Sequence, residues 1–293
     1  MKNKLLVLCI ILLVPLAVFT KNEEKEFENE QRDVIVNLID KDTEVKLSLN
    51  DYLIGVVGCE MPASFNIEAL KAQAIASRTF AYNYLKDNEI NISSKAQCFI
   101  DDVQMKNKWL DEYNKYYNKI KSVVLSTNNL VIKYDNRIIK SYYYAMSNGK
   151  TSNAMPVFNE DLPYLSVVDS SFDENLNNFE VTTSFTYYNF CNLLNINPCS
   201  INISDIKRDD TNRVISLSIN NKEYQGTNFR TMLSLRSTDF IIEKKEDEIL
   251  ITTKGYGHGV GMSQYGANYL ANQGNTYEEI INYYYKNVSI ENF

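Results

Sequence analysis

Residues 51–85, DYLIGVVGCEMPASFNIEALKAQAIASRTFAYNYL, constrain the fold more than any other stretch. Apolar or small residues recur at Ile67, Leu70, Ala74, Ser77, Ala81 and Tyr84, close to helical spacing, which predicts a helix over 66–85. Many of these residues are Ala or Ser, so another element can approach the helix closely. A shorter helix is predicted to start near Asp51, capped by Ser48 or Asn50 and broken at Pro62. Between the two helices lies Glu60, an acid among Val56, Val57, Gly58, Cys59, Met61 and Pro62. Beside a proline, such an acid can be an ordinary solvated helix end. Set in apolar surroundings, it is a carboxyl with a raised pKa, as a general acid near neutral pH requires. The second helix also carries Lys71 and Arg78, two turns apart and pointing the same way. A cation close to Glu60 would oppose a raised pKa, so at least one of the two is expected to bind substrate or to pair with an acid such as Glu68.

The rest of the chain reads as a mixture of helices and antiparallel strands, an α+β fold. Residues 34–38 and 44–49 alternate around Asp40-Lys41-Asp42 and predict a hairpin. Residues 87–108 show no period and read as a loop holding Cys98, Asp101, Asp102 and Gln104. A helix is predicted over 112–127. Strands over 130–134 and 137–145 flank Asp135-Asn136, a type I′ turn signal, and lead into a polar turn, Ser147-Asn148-Gly149-Lys150-Thr151. Residues 156–179 read as a long loop, and 188–194 as a short helix. A meander is predicted over 206–225, a helical turn over 226–233, a strand pair over 240–252 and a final helix over 277–285. Residues 33–293 are expected to form one compact two-lobed domain, the second lobe made mainly by about 180–250.

Residues 254–267, KGYGHGVGMSQYGA, form a second constellation, with five glycines in twelve residues leading into a helix predicted over 262–273. The pattern fits neither the dinucleotide fingerprint nor a Walker loop. It carries the only histidine, His258. With glycines on either side, close backbone approach to a ligand is plausible there, although a lone histidine is also ordinary structure.

The address lies at the N-terminus. Lys2 and Lys4 precede an uncharged run over 5–19, and a charged tether follows to residue 32. The run is close to a signal-peptide apolar region but lacks a small-residue cleavage site, so it reads as an uncleaved single-pass membrane anchor, with a cleaved signal as the alternative, and the remainder exported. An exported chain permits disulfides among Cys59, Cys98, Cys191 and Cys199, with Cys191 and Cys199 near enough in sequence to pair. One histidine and scattered cysteines make a poor metal site, so neither metal nor cofactor is expected. The net charge of −7 supplies no basic footprint for nucleic acid and suits a neutral or zwitterionic polymer better than a polyanion.

The stretches YLIGVVGCEMPASFNIEALKAQAIASRTFAYNYL, SNGKT, LRSTDF and TTKGYGHGVGMSQYGAN, followed by YYYKNVSI, resemble the stage II sporulation protein D family in order and spacing over nearly all of residues 33–290. The resemblance implies a membrane-anchored lytic transglycosylase. Such an enzyme cleaves the MurNAc–GlcNAc bond of peptidoglycan strands stripped of stem peptides, leaves 1,6-anhydro ends, and works on the outer face of the membrane in the septal space during engulfment. Glu60 falls on the family's catalytic acid, and Lys71 and Arg78 on its helix cations. His258 and Gln264 fall on its Gly-His-Gly motif, and Ser147, Asn148, Gly149 and Thr151 on its polar turn. With Gln104 and Tyr256 these form the candidate substrate-binding set. The chain departs from the family where a tyrosine is missing after Gln104, and where Tyr142-Tyr143-Tyr144-Ala145-Met146 replaces the usual Phe, His or Ser. The implied partners are glycan strands, the membrane, and stage II sporulation proteins P, an amidase, and M. Three other readings remain open: a glycan-binding activator of a partner amidase, a glycoside hydrolase using Asp101 or Asp102 as its water-activating base, and a purely structural sporulation scaffold.

Overall fold

The computed structural model describes residues 34–40 and 43–293. The anchor and tether expected over 1–32 lie outside these residues. Among the described residues, no helix is long and apolar enough to cross a membrane.

The fold is a mixture of helices and mainly antiparallel strands gathered around one helix, α2 (Ile67–Tyr82). Asn66 caps it by accepting from the Glu68 N–H. From Ala69 to Tyr82 nearly every side chain is buried, polar ones included. A helix buried all round lies inside a core, and small residues let its neighbours come close. Those neighbours are α1 (Leu49–Glu60), α4 (Tyr113–Ser126), the strand Leu130–Tyr134 and the helices Gln264–Asn272 and Tyr277–Tyr284. Ser48 caps α1 by accepting from the Asp51 N–H. The helix ends at Glu60 because Met61 takes an extended conformation, φ −115° and ψ 146°, as a residue before proline prefers.

The strand Ile35–Asp40 pairs antiparallel with Thr43–Ser48 and, on its other side, parallel with Glu89–Ser93. Residues 87–108 are therefore not the expected loop. Ile90 and Ile92 alternate into the core of that sheet. A capping box between Asp101 and Gln104 then starts α3 (Asp102–Trp109), whose Met105 and Trp109 bury one face. Five residues of alternation and an eight-residue helix are too short to show as a period.

The strand expected over 137–145 is also divided. Arg137–Ile138 closes the hairpin through Asp135 and Asn136, both at positive φ, and Tyr143–Tyr144 pairs in parallel with Met262–Ser263 instead. The 156–179 stretch is mostly irregular, with one helical turn at Met155–Phe158 and a 3-10 turn at Ser171–Asn175.

A second apolar cluster is built around Phe190, Leu217, Phe229, Phe240, Ile249 and Ile251. Its frame is the meander Ile203–Arg208, Val214–Ile219 and Lys222–Gln225 and a three-stranded sheet. In that sheet Glu248–Lys254 lies between Phe240–Lys244 and Glu180–Thr186, the last not foreseen from sequence. Cys191 and Cys199 are disulfide-bonded there, and Cys59, near the end of α1, is bonded to Cys98.

Candidate active site

Glu60, the last residue of α1, faces a cleft of about 390 Å³ lined also by Phe80, Lys95, Ala96, Gln97, Cys98, Tyr142, Tyr143, Phe158 and His258. Its Oε1 accepts from the Cys98 backbone N–H at 2.9 Å and from Tyr143 Oη at 3.5 Å. Its Oε2 accepts from Gln264 Nε2 at 3.3 Å. Burial pushes the Glu60 carboxyl above the usual carboxylate range, and these three donors and the charge of Lys108 partly oppose the shift. Burial is the largest cause, so the carboxyl is held more protonated than an exposed glutamate. Apart from Glu60, none of the described residues lining the cleft carries a carboxyl.

The conflict between a raised pKa and nearby cations resolves in the geometry. Lys71 pairs with Glu68 at 2.8 Å and lies 5.6 Å from the Tyr277 ring centre. Neither partner lines the cleft. Arg78 has no exposed surface. Its guanidinium donates to the carbonyls of Thr127 at 2.7 Å, Val124 at 3.1 Å and Leu130 at 3.3 Å. It adds a donor to carbonyls at the end of α4 and at the start of the following strand, and burial lowers its pKa to about 10. The structure thus corrects the expectation that Arg78 meets substrate. The cation that does influence Glu60 is Lys108, whose Nζ donates to the Gly58 carbonyl at 2.8 Å, at the C-terminal end of α1. A cation suits that end of a helix dipole.

His258 stands in the cleft with Glu60, edge-on to Phe158 with ring centres 5.1 Å apart and flanked by Tyr142 and Tyr144. Burial, followed by the positive charge of Arg230, pushes its pKa down to about 3, so the ring is neutral. Nδ1 accepts from the Val260 N–H at 3.1 Å, which leaves the proton on Nε2. The glycines around it serve the chain itself rather than a ligand. Gly257 and Gly261 take φ of 119° and 80°. A Cβ at Gly261 would lie 1.9 Å from the Tyr142 carbonyl oxygen, and one at Gly257 2.6 Å from the Tyr144 Cβ. The loop therefore lies flat against 142–147, and this contact carries His258 into the cleft. Gln264 opens the helix Gln264–Asn272, capped by Ser263.

The other expected contacts are elsewhere. Gln104 closes the capping box of α3 by accepting from the Asp101 N–H at 2.9 Å. Ser147 and Thr151 are buried and hydrogen-bonded to Ser170 and to Ser166 and Val168. Asn148 donates to the Thr211 carbonyl and to Asp239, both at 2.7 Å. With Gly149 it lines a different, polar recess of about 160 Å³. Tyr256 is exposed beneath the Arg236 guanidinium, 4.7 Å away. None of these six lines the Glu60 cleft. Asp101 caps α3, and Asp102 accepts from Tyr113 and pairs with Lys106 at 2.6 Å. Neither aspartate faces Glu60 across the cleft.

Sequence reasoning missed Tyr143, Gln97 and the Cys98 N–H. Two signals pointed to them: the tyrosine run in place of the family's usual residues, and the position of Cys59 next to Glu60. Among the described residues, no group of three or more His, Cys, Asp or Glu is placed to hold a metal ion.

A family model described as Stage II sporulation protein matches residues 41–134. Stage II sporulation protein D of Bacillus subtilis (strain 168) is 36% identical over 256 residues, which span 83% of this chain and 74% of that protein. The protein of the same name from Bacillus amyloliquefaciens is 37% identical over the same shares. The amidase enhancer of Bacillus subtilis (strain 168) is 25% identical over 298 residues, spanning 82% of this chain and 40% of that protein.

Proposed function

The chain belongs to the stage II sporulation protein D family, and from that premise we propose that it is a lytic transglycosylase of peptidoglycan glycan strands, with Glu60 as its single acid and base. The observation that carries this reading is a desolvated carboxyl with no second carboxyl among the described residues that line its cleft. A hydrolase that activates water needs a second carboxylate across the sugar, and the cleft offers none.

One carboxyl suffices if the sugar supplies its own nucleophile. Protonated Glu60 gives its proton to the glycosidic oxygen. The bond from that oxygen to C1 of MurNAc breaks, and the electron pair stays on the oxygen. The C6 hydroxyl of the same MurNAc attacks C1, and its proton passes to the Glu60 carboxylate. A C1–O6 bond has formed, no water is consumed, and the acid is restored. The aromatic walls Phe80, Tyr142 and Phe158 offer stacking faces for the sugar rings. Gln264 offers a polar contact, and neutral His258, whose ring is held by the Val260 N–H and the Tyr143 backbone, does not lower the Glu60 pKa as a full cation would. The substrate is glycan stripped of stem peptides by an amidase, proposed as stage II sporulation protein P, with protein M as a further partner in an anchored assembly.

The likeness to an amidase enhancer favours a second reading, in which the cleft binds glycan and activates a partner amidase. Digestion of stripped and of intact peptidoglycan, with mass spectrometry of the products, separates the readings. Transglycosylation yields 1,6-anhydro ends, one water lighter than the reducing ends of hydrolysis, and a binding module yields no new sugar ends.

A further inference from the structure

The hydrogen bonds that lead to Glu60 through the protein interior all run in one direction. Tyr52 donates to Gln97 Oε1 at 2.9 Å. Gln97 donates from Nε2 to Tyr143 Oη at 2.7 Å and to the Ser77 carbonyl at 3.3 Å. A carbonyl only accepts, so it fixes which way the Gln97 amide faces. A second line runs along α2. Gln264 donates to Gln73 Oε1 at 3.4 Å, Gln73 to Ser77 Oγ at 2.9 Å, and Ser77 Oγ to Tyr143 Oη at 3.5 Å. Gln73, Ser77 and Gln97 are buried, and a fully satisfied buried network specifies a single arrangement.

Both lines end on Tyr143 Oη, which accepts from each. A phenol has two acceptor sites and one proton, so that proton is left for Glu60 Oε1, 3.5 Å away. The contact is long, but its direction is fixed by everything behind it. The same Oε1 accepts the Cys98 N–H. An oxygen holding two accepted hydrogen bonds is a poor place for a proton. Among the described residues, Oε2 meets only Gln264 Nε2, which it shares with Gln73.

Resting on the reading of Glu60 as the acid, the geometry assigns Tyr143 as a positioning residue that keeps Oε1 as the accepting oxygen, so that the proton transferred to the glycosidic oxygen is carried on Oε2. The O6 proton returns to that same oxygen. Tyr143 itself gives up no proton. Burial first, and the Glu60 charge second, push its ionisation well above the ordinary tyrosine range. The titratable and charged groups around the carboxyl are Lys108 on α3, Tyr52 on α1, Tyr143 on its strand, and Lys95 and His258 in the cleft.

The test is Tyr143→Phe, which keeps the ring and removes the donor. Two quantities are read: the titration of the Glu60 carboxyl carbon by NMR in the free enzyme, assigned with Glu60→Gln, and the alkaline limb of kcat/KM on stripped glycan. Loss of a donor to the charged form is expected to raise the Glu60 midpoint by about one pH unit, a change of about tenfold in the ionisation constant. The limb should move with it, with kcat reduced and KM unchanged. An unmoved midpoint overturns the inference. A midpoint that moves while the limb does not keeps the Tyr143 hydrogen bond to Oε1 but overturns the reading of Glu60 as the acid, and with it the transfer from Oε2.

Discussion

Cys98 donates its backbone N–H to Glu60 Oε1 at 2.9 Å, while its side chain is bonded to Cys59, the residue next to Glu60. The same short link therefore ties the 94–100 segment to the end of α1 and aims a donor at the carboxylate. Replacing both cysteines by serine opens a loop of 39 residues in sequence. By chain entropy this should cost about 2–4 kcal/mol, read as a lower midpoint in chemical denaturation. With the Cys98 N–H less firmly held, kcat should fall about tenfold. A variant with unchanged stability and unchanged kcat would contradict this account of the pair.

Arg78 ties α2 to the last carbonyls of α4. Arg78→Met should remove a buried donor from the carbonyls of Val124, Thr127 and Leu130 and cost about 1–3 kcal/mol of stability. The protein that still folds should bind stripped glycan with the parent KM. A raised KM at parent stability would return Arg78 to the substrate-binding set.

His258 should make stability fall in acid. Its folded-state pKa is pushed down to about 3, against about 6.5 for an unfolded histidine. Between these values the unfolded chain holds the extra proton. The stability due to this group is full above about pH 6.5 and is lost as pH falls towards 3. The carboxyls of Glu60 and Asp173, raised by burial, work in the opposite sense and lose their contribution as pH rises. His258→Gln should therefore show a shallower loss of denaturation midpoint than the parent between about pH 7 and about pH 4. Equal slopes would mean that the ring is protonated in the folded protein.

Much of this arrangement was legible before the fold was known, because it depends on local rules. Small residues at helical spacing marked α2, and Pro62 placed the end of α1 at Glu60. Asp135-Asn136 marked its hairpin. The misses came where side chains travel far. Lys71 pairs with Glu68, as expected of at least one of the two cations, but Arg78 on the same face meets the carbonyls of α4 instead. Helical spacing says which way a side chain leaves the helix and nothing about what it meets. The polar turn at Ser147 has the residue types of a ligand site and of plain turn chemistry alike, and Ser147 spends its N–H on Asp173 and its hydroxyl on the Ser170 carbonyl. The contact of Tyr143 with Glu60 spans 83 residues, and the parallel pairing with Met262–Ser263 that supports it has no local signature in either segment.

The central claim is that Glu60 alone drives a cleavage without water. Stem-peptide-stripped glycan should be digested with the parent protein and with Glu60→Gln, matched for denaturation midpoint, and the chain ends identified by mass spectrometry. The account predicts 1,6-anhydro ends from the parent and none from the variant. Anhydro ends released equally by Glu60→Gln, or reducing ends released by the parent, would contradict it.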